Sequence, residues 1–340
     1  MYKSFLVVLA LLALPALALA HEVYVLPADA ISGALTSASP NPVGAYFGNE
    51  GNFFLWGVVA VIVTLTIFFA STFRRFESSA APLFNRLKRF AHSLVRLTVA
   101  ATLIVFGTTA TLYGPELPLA LLFGDAAFLV QCALLALGIC VFLGFQTRIA
   151  SALALLLFAY AATTLGMYSL TYVQHAAAYL FLIIMGGGSW TLDHRFHLGW
   201  HFRKHLDRLA PYAFPMLRVG LGTSIMFAAF YAKFLHSNLA LEVVTRYHLE
   251  ALFPFDPLFT VLGAFIIEFL AGLMLALGIE IRWTTLFLVF WLTLAHLYLP
   301  EAPWVHLSLY GLGLAILFHG YDRFALEGRL FKRRGAEPVL

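Results

Sequence analysis

Residues 258–277 read LFTVLGAFIIEFLAGLMLAL, and Glu268 is the only charged side chain in this run. A helix of about twenty apolar residues is about 30 Å long, which matches the hydrocarbon thickness of a bilayer. The apolar residues are continuous and do not alternate with polar ones, which favours a helix over a strand. Because backbone polar groups in lipid must be paired within the protein, we predict that this run is a transmembrane helix.

The whole chain has the same apolar character. It has 340 residues, of which 61% are hydrophobic and 11% are charged, and its mean hydropathy is +0.87. A soluble protein of this size could not bury so much apolar surface. We therefore predict an all-α integral membrane protein in contact with membrane lipid. The net charge is +4, and the placement of the basic residues follows membrane topology. We therefore do not expect nucleic-acid binding.

The N-terminus has the pattern of a cleavable signal peptide. Lys3 is followed by an apolar stretch from Phe5 to Leu19 and by the small-residue site Ala18-Leu19-Ala20. Cleavage after Ala20 would make His21 the first residue of the mature protein. The alternative is an uncleaved membrane anchor, and in both cases His21 begins on the outer face.

The other apolar runs and the basic residues predict the topology. We expect nine spans, near 53–72, 93–113, 126–144, 150–168, 173–190, 212–234, 258–277, 284–299 and 303–319. With His21 outside, most lysines and arginines fall in cytoplasmic segments, whereas Lys233 and Arg246 are the only ones after the signal peptide that fall outside. This distribution is typical of inner-membrane proteins. We predict a multi-pass protein of the cell inner membrane with a periplasmic N-terminus and a cytoplasmic C-terminus.

The chain also contains an internal repeat. LVRLTVAATLIVFGTTATLYG from Leu94 aligns with MLRVGLGTSIMFAAFYAKFLH from Met216, and LLALGICVFLGFQTR from Leu134 aligns with EFLAGLMLALGIEIR from Glu268. We predict two tandem four-helix bundles, which are parallel because each has an even number of spans. The predicted segments are a signal peptide (1–20), a periplasmic N-terminal segment (21–52), an extra N-terminal span (53–72), a first unit (93–190), a cytoplasmic interfacial linker (191–211), a second unit (212–319) and a basic cytoplasmic tail (320–340).

The second unit resembles the DoxX family of small four-helix membrane proteins. The resemblance is carried by LRVGLGTSIMFAAFYAKFLH, with Arg218 and Lys233, and by IIEFLAGLMLALGIEIRW, with Glu268, Gly272 and Gly278. It implies a quinone-linked, redox-associated membrane component. The first unit resembles the family only faintly, because Thr111 and Leu134 stand where Lys233 and Glu268 would be. We therefore expect the site in the second unit and a packing role for the first.

Three residues are candidates for quinone binding or proton relay. Glu268 lies near the middle of its span, where a carboxylate costs about 2.5–3.5 kcal/mol and needs a partner. Lys233 ends its span on the outer side, and its alternative role is to reach the lipid headgroups. Arg218 lies near the inner end of the same helix, so we expect it to pair with an acid such as Glu280 or Asp322, or with lipid phosphate, and to have a structural role.

A second set of candidates consists of histidines at the outer face. Neutral imidazoles are common ligands of copper and zinc, and an N-terminal histidine offers both its amine and its ring. The possible copper ligands are His21, His236, His248, His296 and His306. The alternative is a set of independent histidines at the membrane interface.

The sequence leaves three functions open. The first is a quinone-linked redox or respiratory-chain component, the second a copper-handling protein of the periplasmic face, and the third a non-catalytic anchor or assembly subunit. The sequence has no haem-attachment motif and no iron–sulfur cysteine set. A role in electron transfer would therefore require a quinone, a metal or a partner redox subunit. A periplasmic enzyme is the partner expected for an anchor, and the sequence does not decide whether the chain itself is an enzyme.

Overall fold

The computed structural model describes residues 22–49, 53–188, 190–196, 206–251, 256–299, 302–322 and 324–326, with side chains left undescribed across most of 51–78. Within these ranges the chain is helical and has no strand, only an isolated bridge between Thr111 and Pro118. The all-α prediction is therefore confirmed. The predicted signal peptide, His21, residues 197–205 of the linker and most of the tail lie outside the described residues.

The helices follow one another with short connections. The first seven are α1 (Glu22–Val25), α2 (Ala28–Thr36), α3 (Pro42–Asn49), α4 (Phe53–Thr109), α5 (Leu119–Phe123), α6 (Ala127–Leu143) and α7 (Thr147–Leu165). The next seven are α8 (Val173–Met185), α9 (Leu192–Arg195), α10 (Ala210–Phe230), α11 (Ser237–Arg246), α12 (Pro257–Leu277), α13 (Ile281–Tyr298) and α14 (Leu307–His319). Tighter turns lie at Gly166–Tyr172 and Pro303–His306, and one wider turn continues α10 over Tyr231–Leu235.

Several helices could cross a membrane. Among the described residues, five stretches are long and apolar enough: Ser79–Thr109, Leu119–Leu143, Thr147–Met185, Ala210–Leu235 and Pro257–Leu277. Two shorter apolar helices, Ile281–Ala295 and Pro303–His319, match the last two predicted spans. The third stretch contains α7 and α8, which pack against each other and match two predicted spans. The number and the apolar composition of these helices are thus consistent with a multi-pass membrane protein.

One helix differs from the expected pattern. The segment 73–92, which we placed between two spans, is helical and continuous with both, so α4 runs unbroken from Phe53 to Thr109. Pro82 lies within it and removes one helical hydrogen bond. The apolar periodicity could not reveal this, because a polar segment can be helical outside lipid as easily as it can form a loop.

The core is formed where six helices pack. α4 packs on α6, and α10 packs on α12; α8 also packs on α10, and α14 packs on α4. The fully buried side chains at the centre include Leu103, Phe106, Leu134, Phe181 and Leu217. Small residues permit the closest crossings. A Cβ atom on Gly272 would lie 2.8 Å from the carbonyl oxygen of Gly222, so α10 and α12 touch backbone to backbone.

The bundle has two chemically different ends. The arginine end contains Arg96, Arg218 and Arg282, each at most 7% exposed. Arg96 donates to the carbonyl oxygens of Gly187 and Trp190 at 3.2 and 2.7 Å. Such bonds satisfy carbonyl groups at helix ends that have no partner within the helix.

The opposite end, the lysine end, contains Lys233, Tyr172 and His306 and is covered by the N-terminal segment. Val25, Leu26 and Ala34 form an apolar cluster with residues of α11. The Tyr247 hydroxyl donates to the carbonyl oxygen of Val25 at 2.9 Å. The described part of 22–49 is therefore folded onto the bundle.

Candidate functional site

The structure brings Lys233 and Glu268 together. The Lys233 ammonium lies 2.8 Å from Glu268 Oε2, and the two side chains are 9% and 14% exposed. The Trp291 indole N–H donates to Glu268 Oε1 at 3.1 Å. Both oxygens of the carboxylate therefore have a partner, which a carboxylate inside a membrane requires.

Three elements position these groups. Glu268 lies near the middle of α12 and Trp291 on α13, while Lys233 lies in the wide turn Tyr231–Leu235. In that turn the amide of His236 donates to the carbonyl oxygen of Tyr231 at 2.9 Å, five residues back. Such wide turns insert a residue into a helix and occur often at functional sites. Lys233 therefore lies where α10 departs from regular α-helical geometry.

Aromatic rings line the surroundings of the pair. Phe230 and Phe234, on either side of Lys233, have ring centroids 5.4 Å apart. Phe234 continues the row to Phe265 at 5.2 Å, and Phe265 to Phe269 at 5.4 Å. Phe265 and Phe269 lie on either side of Glu268 in the sequence. The pair therefore lies in apolar surroundings, where hydrogen bonds and charges interact more strongly than in water.

Trp291 was missed by the sequence reasoning. An indole N–H in an apolar helix needs an acceptor when it is buried, which is a usable signal. The signal does not identify the acceptor, because several helices could supply one. Glu268 and Lys233 were each identified separately, and their contact was not predicted.

Arg218 lies at the arginine end, away from the Lys233–Glu268 pair. Its guanidinium donates to Asp322 Oδ2 at 2.8 Å and to the carbonyl oxygens of Leu275 and Ala276 at 2.8 and 2.5 Å. The expected pairing with Asp322 is confirmed. Arg218 lies about 22 Å from Lys233 along the helix at 1.5 Å per residue, so it is not part of the Lys233–Glu268 site.

The histidines proposed as copper ligands are dispersed where the structure describes them. His306 is buried, with its ring 6.1 Å from that of Tyr24. The ring of His236 lies 4.6 Å from Tyr231, and the side chain of His248 is 82% exposed beside Glu250. His296 lies on α13 with its side chain undescribed, and His21 is outside the described residues. No group of three His, Cys, Asp or Glu side chains among the described residues could hold a metal ion.

A second polar cluster lies at the lysine end, in the first predicted unit. Glu116 Oε1 accepts a hydrogen bond from the Tyr172 hydroxyl, and the Tyr168 hydroxyl lies 3.5 Å from the same oxygen. Tyr113 stacks on Tyr172 with centroids 5.1 Å apart.

This cluster changes an expectation from the sequence. We expected the polar chemistry in the second unit alone, because Leu134 replaces Glu268, and Leu134 is indeed apolar and buried. The first unit nevertheless has an acid of its own, Glu116, supplied by a connection between helices. Alignment of the repeats could not find it because it does not lie at a matched position.

The comparisons with known proteins give no match. No protein-family model, no curated protein and no solved structure is significantly similar to the chain.

Proposed function

We propose that the protein is a DoxX-like, multi-pass inner-membrane protein linked to quinone chemistry, and that Lys233, Glu268 and Trp291 bind the headgroup of a quinone or quinol. The observation that carries this proposal is the buried contact of 2.8 Å between Lys233 and Glu268, completed by the indole at 3.1 Å. Ionisable residues inside membrane helices are expensive and are retained mainly at functional sites.

The donors and acceptors of the site fit such a headgroup. A quinone carbonyl accepts hydrogen bonds, which the Lys233 ammonium can donate because it carries three N–H groups. A quinol hydroxyl donates, and the Glu268 carboxylate can accept that bond and then the proton. The row of phenylalanines beside the pair offers ring faces to a planar aromatic headgroup.

Matched local geometry supports the proposal of two tandem four-helix units, 93–190 and 212–319. Gly138 and Gly272, which align in the repeat, both sit at close helix crossings, against the backbone of α4 and of α10. Gly144 and Gly278 also align, and both end a helix in the left-handed conformation. The residues two positions later, Gln146 and Glu280, share this conformation.

The proposed orientation places the lysine end and the N-terminal segment in the periplasm. The arginine end, with the linker and the C-terminal tail, would face the cytoplasm. Its support is the sequence distribution of lysine and arginine, which are concentrated near one end of the helices.

The test is the quinone content of the purified protein in nanodiscs made from native lipid. We expect near-stoichiometric quinone for the wild type and at least about tenfold less for Glu268→Gln, which removes the carboxylate that pairs with Lys233 and would accept the quinol proton. Glu242→Gln is the matched control, because Glu242 is an exposed acid paired with Arg246. Trp291→Phe removes only the indole donor and should weaken binding with less effect on folding.

Wild-type quinone no higher than in protein-free nanodiscs would overturn the proposal. The same samples test the two alternatives from the sequence. Stoichiometric copper that disappears in His21→Ala would favour the metal-handling function, and a retained soluble protein with neither copper nor quinone would favour an anchor.

A further inference from the structure

Glu116 is a partly buried acid that lies beside tyrosine hydroxyl groups. The Tyr172 hydroxyl donates to Glu116 Oε1, and Tyr172 is 2% exposed. The Tyr168 hydroxyl lies 3.1 Å from that of Tyr172. The Tyr24 hydroxyl, from the N-terminal segment, lies 3.3 Å from it. Four side chains from three separate parts of the chain thus form one hydrogen-bonded cluster.

The backbone leaves room for this carboxyl group. A Cβ atom on Gly114 would lie 2.7 Å from Glu116 Oε1 and 2.5 Å from the ring of Tyr24. Any side chain at position 114 would therefore displace the acid or the tyrosine. The turn that ends at Leu117, with its amide bonded to the carbonyl oxygen of Gly114 at 3.1 Å, holds the carboxyl group in place.

The cluster also reaches the turn that holds Lys233. The ring of Tyr168 lies 4.9 Å from that of Tyr231, and Tyr231 opens the wide turn Tyr231–Leu235. A phenol hydroxyl can donate one hydrogen bond and accept another, so Tyr172 and Tyr168 can share a proton with Glu116 by exchanging these roles. The packing of Tyr168 on Tyr231 joins this cluster to the turn that carries Lys233.

We infer that Glu116, with Tyr168 and Tyr172, is a second proton-binding site, and that its protonation is coupled to that of the Lys233–Glu268 pair through the packing of Tyr168 on Tyr231. The second part of this inference, the link to the Lys233–Glu268 pair, rests on the proposed function. The first part, the proton-binding site at Glu116, does not. Other titratable groups around the site are Tyr113 and His175, whose rings are 4.9 Å apart, and His306, whose ring is 6.1 Å from that of Tyr24.

Infrared spectra of the protein in lipid films, recorded as a function of pH, test the first part. Protonated carboxyl groups have a separate carbonyl stretching band. We expect one component of this band to titrate in the wild type, to be lost in Glu116→Gln and to shift in Tyr172→Phe, which removes a hydrogen bond from that carboxyl group. Tyr160→Phe is the control, because Tyr160 is exposed and stacks on Phe123. Identical carboxyl spectra for the wild type and Glu116→Gln at every pH would overturn the inference.

The second part is tested on the band component that Glu268→Gln removes. We expect its midpoint pH to shift in both Glu116→Gln and Tyr231→Leu, which removes the ring that Tyr168 packs on, and to stay unchanged in Tyr160→Phe. Unchanged midpoints in the first two variants would disprove the coupling. Tyr231→Leu leaves Glu116 in place, so it remains informative if Glu116→Gln does not fold. A Glu116 band in protein that binds no quinone would leave the proton site intact and overturn only the proposed function.

Discussion

Glu268 and Lys233 show which properties of single residues a sequence reveals. Each is a charged side chain in an otherwise apolar helix, and the cost of burying a charge is enough to identify both as special. Their contact was not predictable, because it depends on the wide turn at Tyr231–Leu235. No residue type in YAKFL requires such a turn, so the sequence does not reveal it.

Removing one partner of this pair should destabilise the protein strongly. Lys233→Met or Glu268→Gln leaves a buried charge without its partner, and we expect the free energy of unfolding to fall by about 3–5 kcal/mol. The double variant Lys233→Met/Glu268→Gln should recover most of this loss, since neither charge remains. The measurement is denaturant unfolding in detergent, followed by tryptophan fluorescence.

The exposed pair Arg246–Glu242, at the same N···O distance of 2.8 Å, is the control for this series. Its two side chains are about 40% exposed, so Glu242→Gln should cost less than about 1 kcal/mol. If the losses of Lys233→Met and Glu268→Gln simply added in the double variant, the two side chains would not act as a pair.

The hydrogen bonds of the Arg218 guanidinium can also be tested by substitution. Its planar guanidinium bonds Asp322 and two carbonyl oxygens simultaneously, at 2.5–2.8 Å. A lysine keeps the charge but cannot reproduce this fork. We expect Arg218→Lys to cost about 1.5–3 kcal/mol for each bond to the charged group that is lost, measured by the same unfolding experiment. Arg246→Lys, at the exposed site, should change stability little, and an equally small effect of Arg218→Lys would contradict the role assigned to the fork.

At the level of the helices, the sequence predicted well which segments are helical, and predicted less well where those helices begin and end. Continuous apolar runs identified the helices of both units, and Gly144 and Gly278 lie where α6 and α12 end, in the left-handed conformation that glycine adopts without strain. The continuity of α4 through Pro82 was not predicted, because polar residues alone do not distinguish an exposed helix from a loop.

The crossing of α10 and α12 should depend on Gly272. A Cβ atom there would lie 2.8 Å from the carbonyl oxygen of Gly222 and 2.9 Å from the amide nitrogen of Met226. Because both atoms belong to the backbone, they cannot rotate away, and we expect Gly272→Ala to cost about 1–3 kcal/mol. Thermal unfolding of the purified protein measures the effect.

Gly263 is the matched control on the same helix, since nothing lies within 4 Å of a Cβ atom at that position. Gly263→Ala should leave the protein unchanged or stabilise it by up to about 1 kcal/mol, because alanine is the better helix former. Equal effects of the two alanines would show that helix propensity, and not the crossing, controls the stability at Gly272.

For the whole molecule, the sequence predicted the order of apolar helices, but not how the helices pack. The internal repeat suggested two tandem bundles and a packing role for the first, without showing which helices meet. In the structure, α8 of the first unit packs on α10 of the second, and α14 of the second packs on α4 of the first. A repeat in sequence reports similar local structure and carries no information on which surfaces the copies present to each other. The cluster around Glu116 arises from such long-range packing, which is why it was missed.

The proposed orientation predicts which end of the molecule a membrane-impermeant thiol reagent reaches. His248→Cys and His194→Cys form a matched pair, because both histidines are exposed and lie at opposite ends of the bundle. Both variants are made in a chain in which the native Cys132 and Cys140 are replaced by alanine. In spheroplasts we expect the reagent to label the His248→Cys variant directly, and the His194→Cys variant only after the membrane is permeabilised. Labelling in the reverse order would place the arginine end in the periplasm and contradict the orientation inferred from the basic residues.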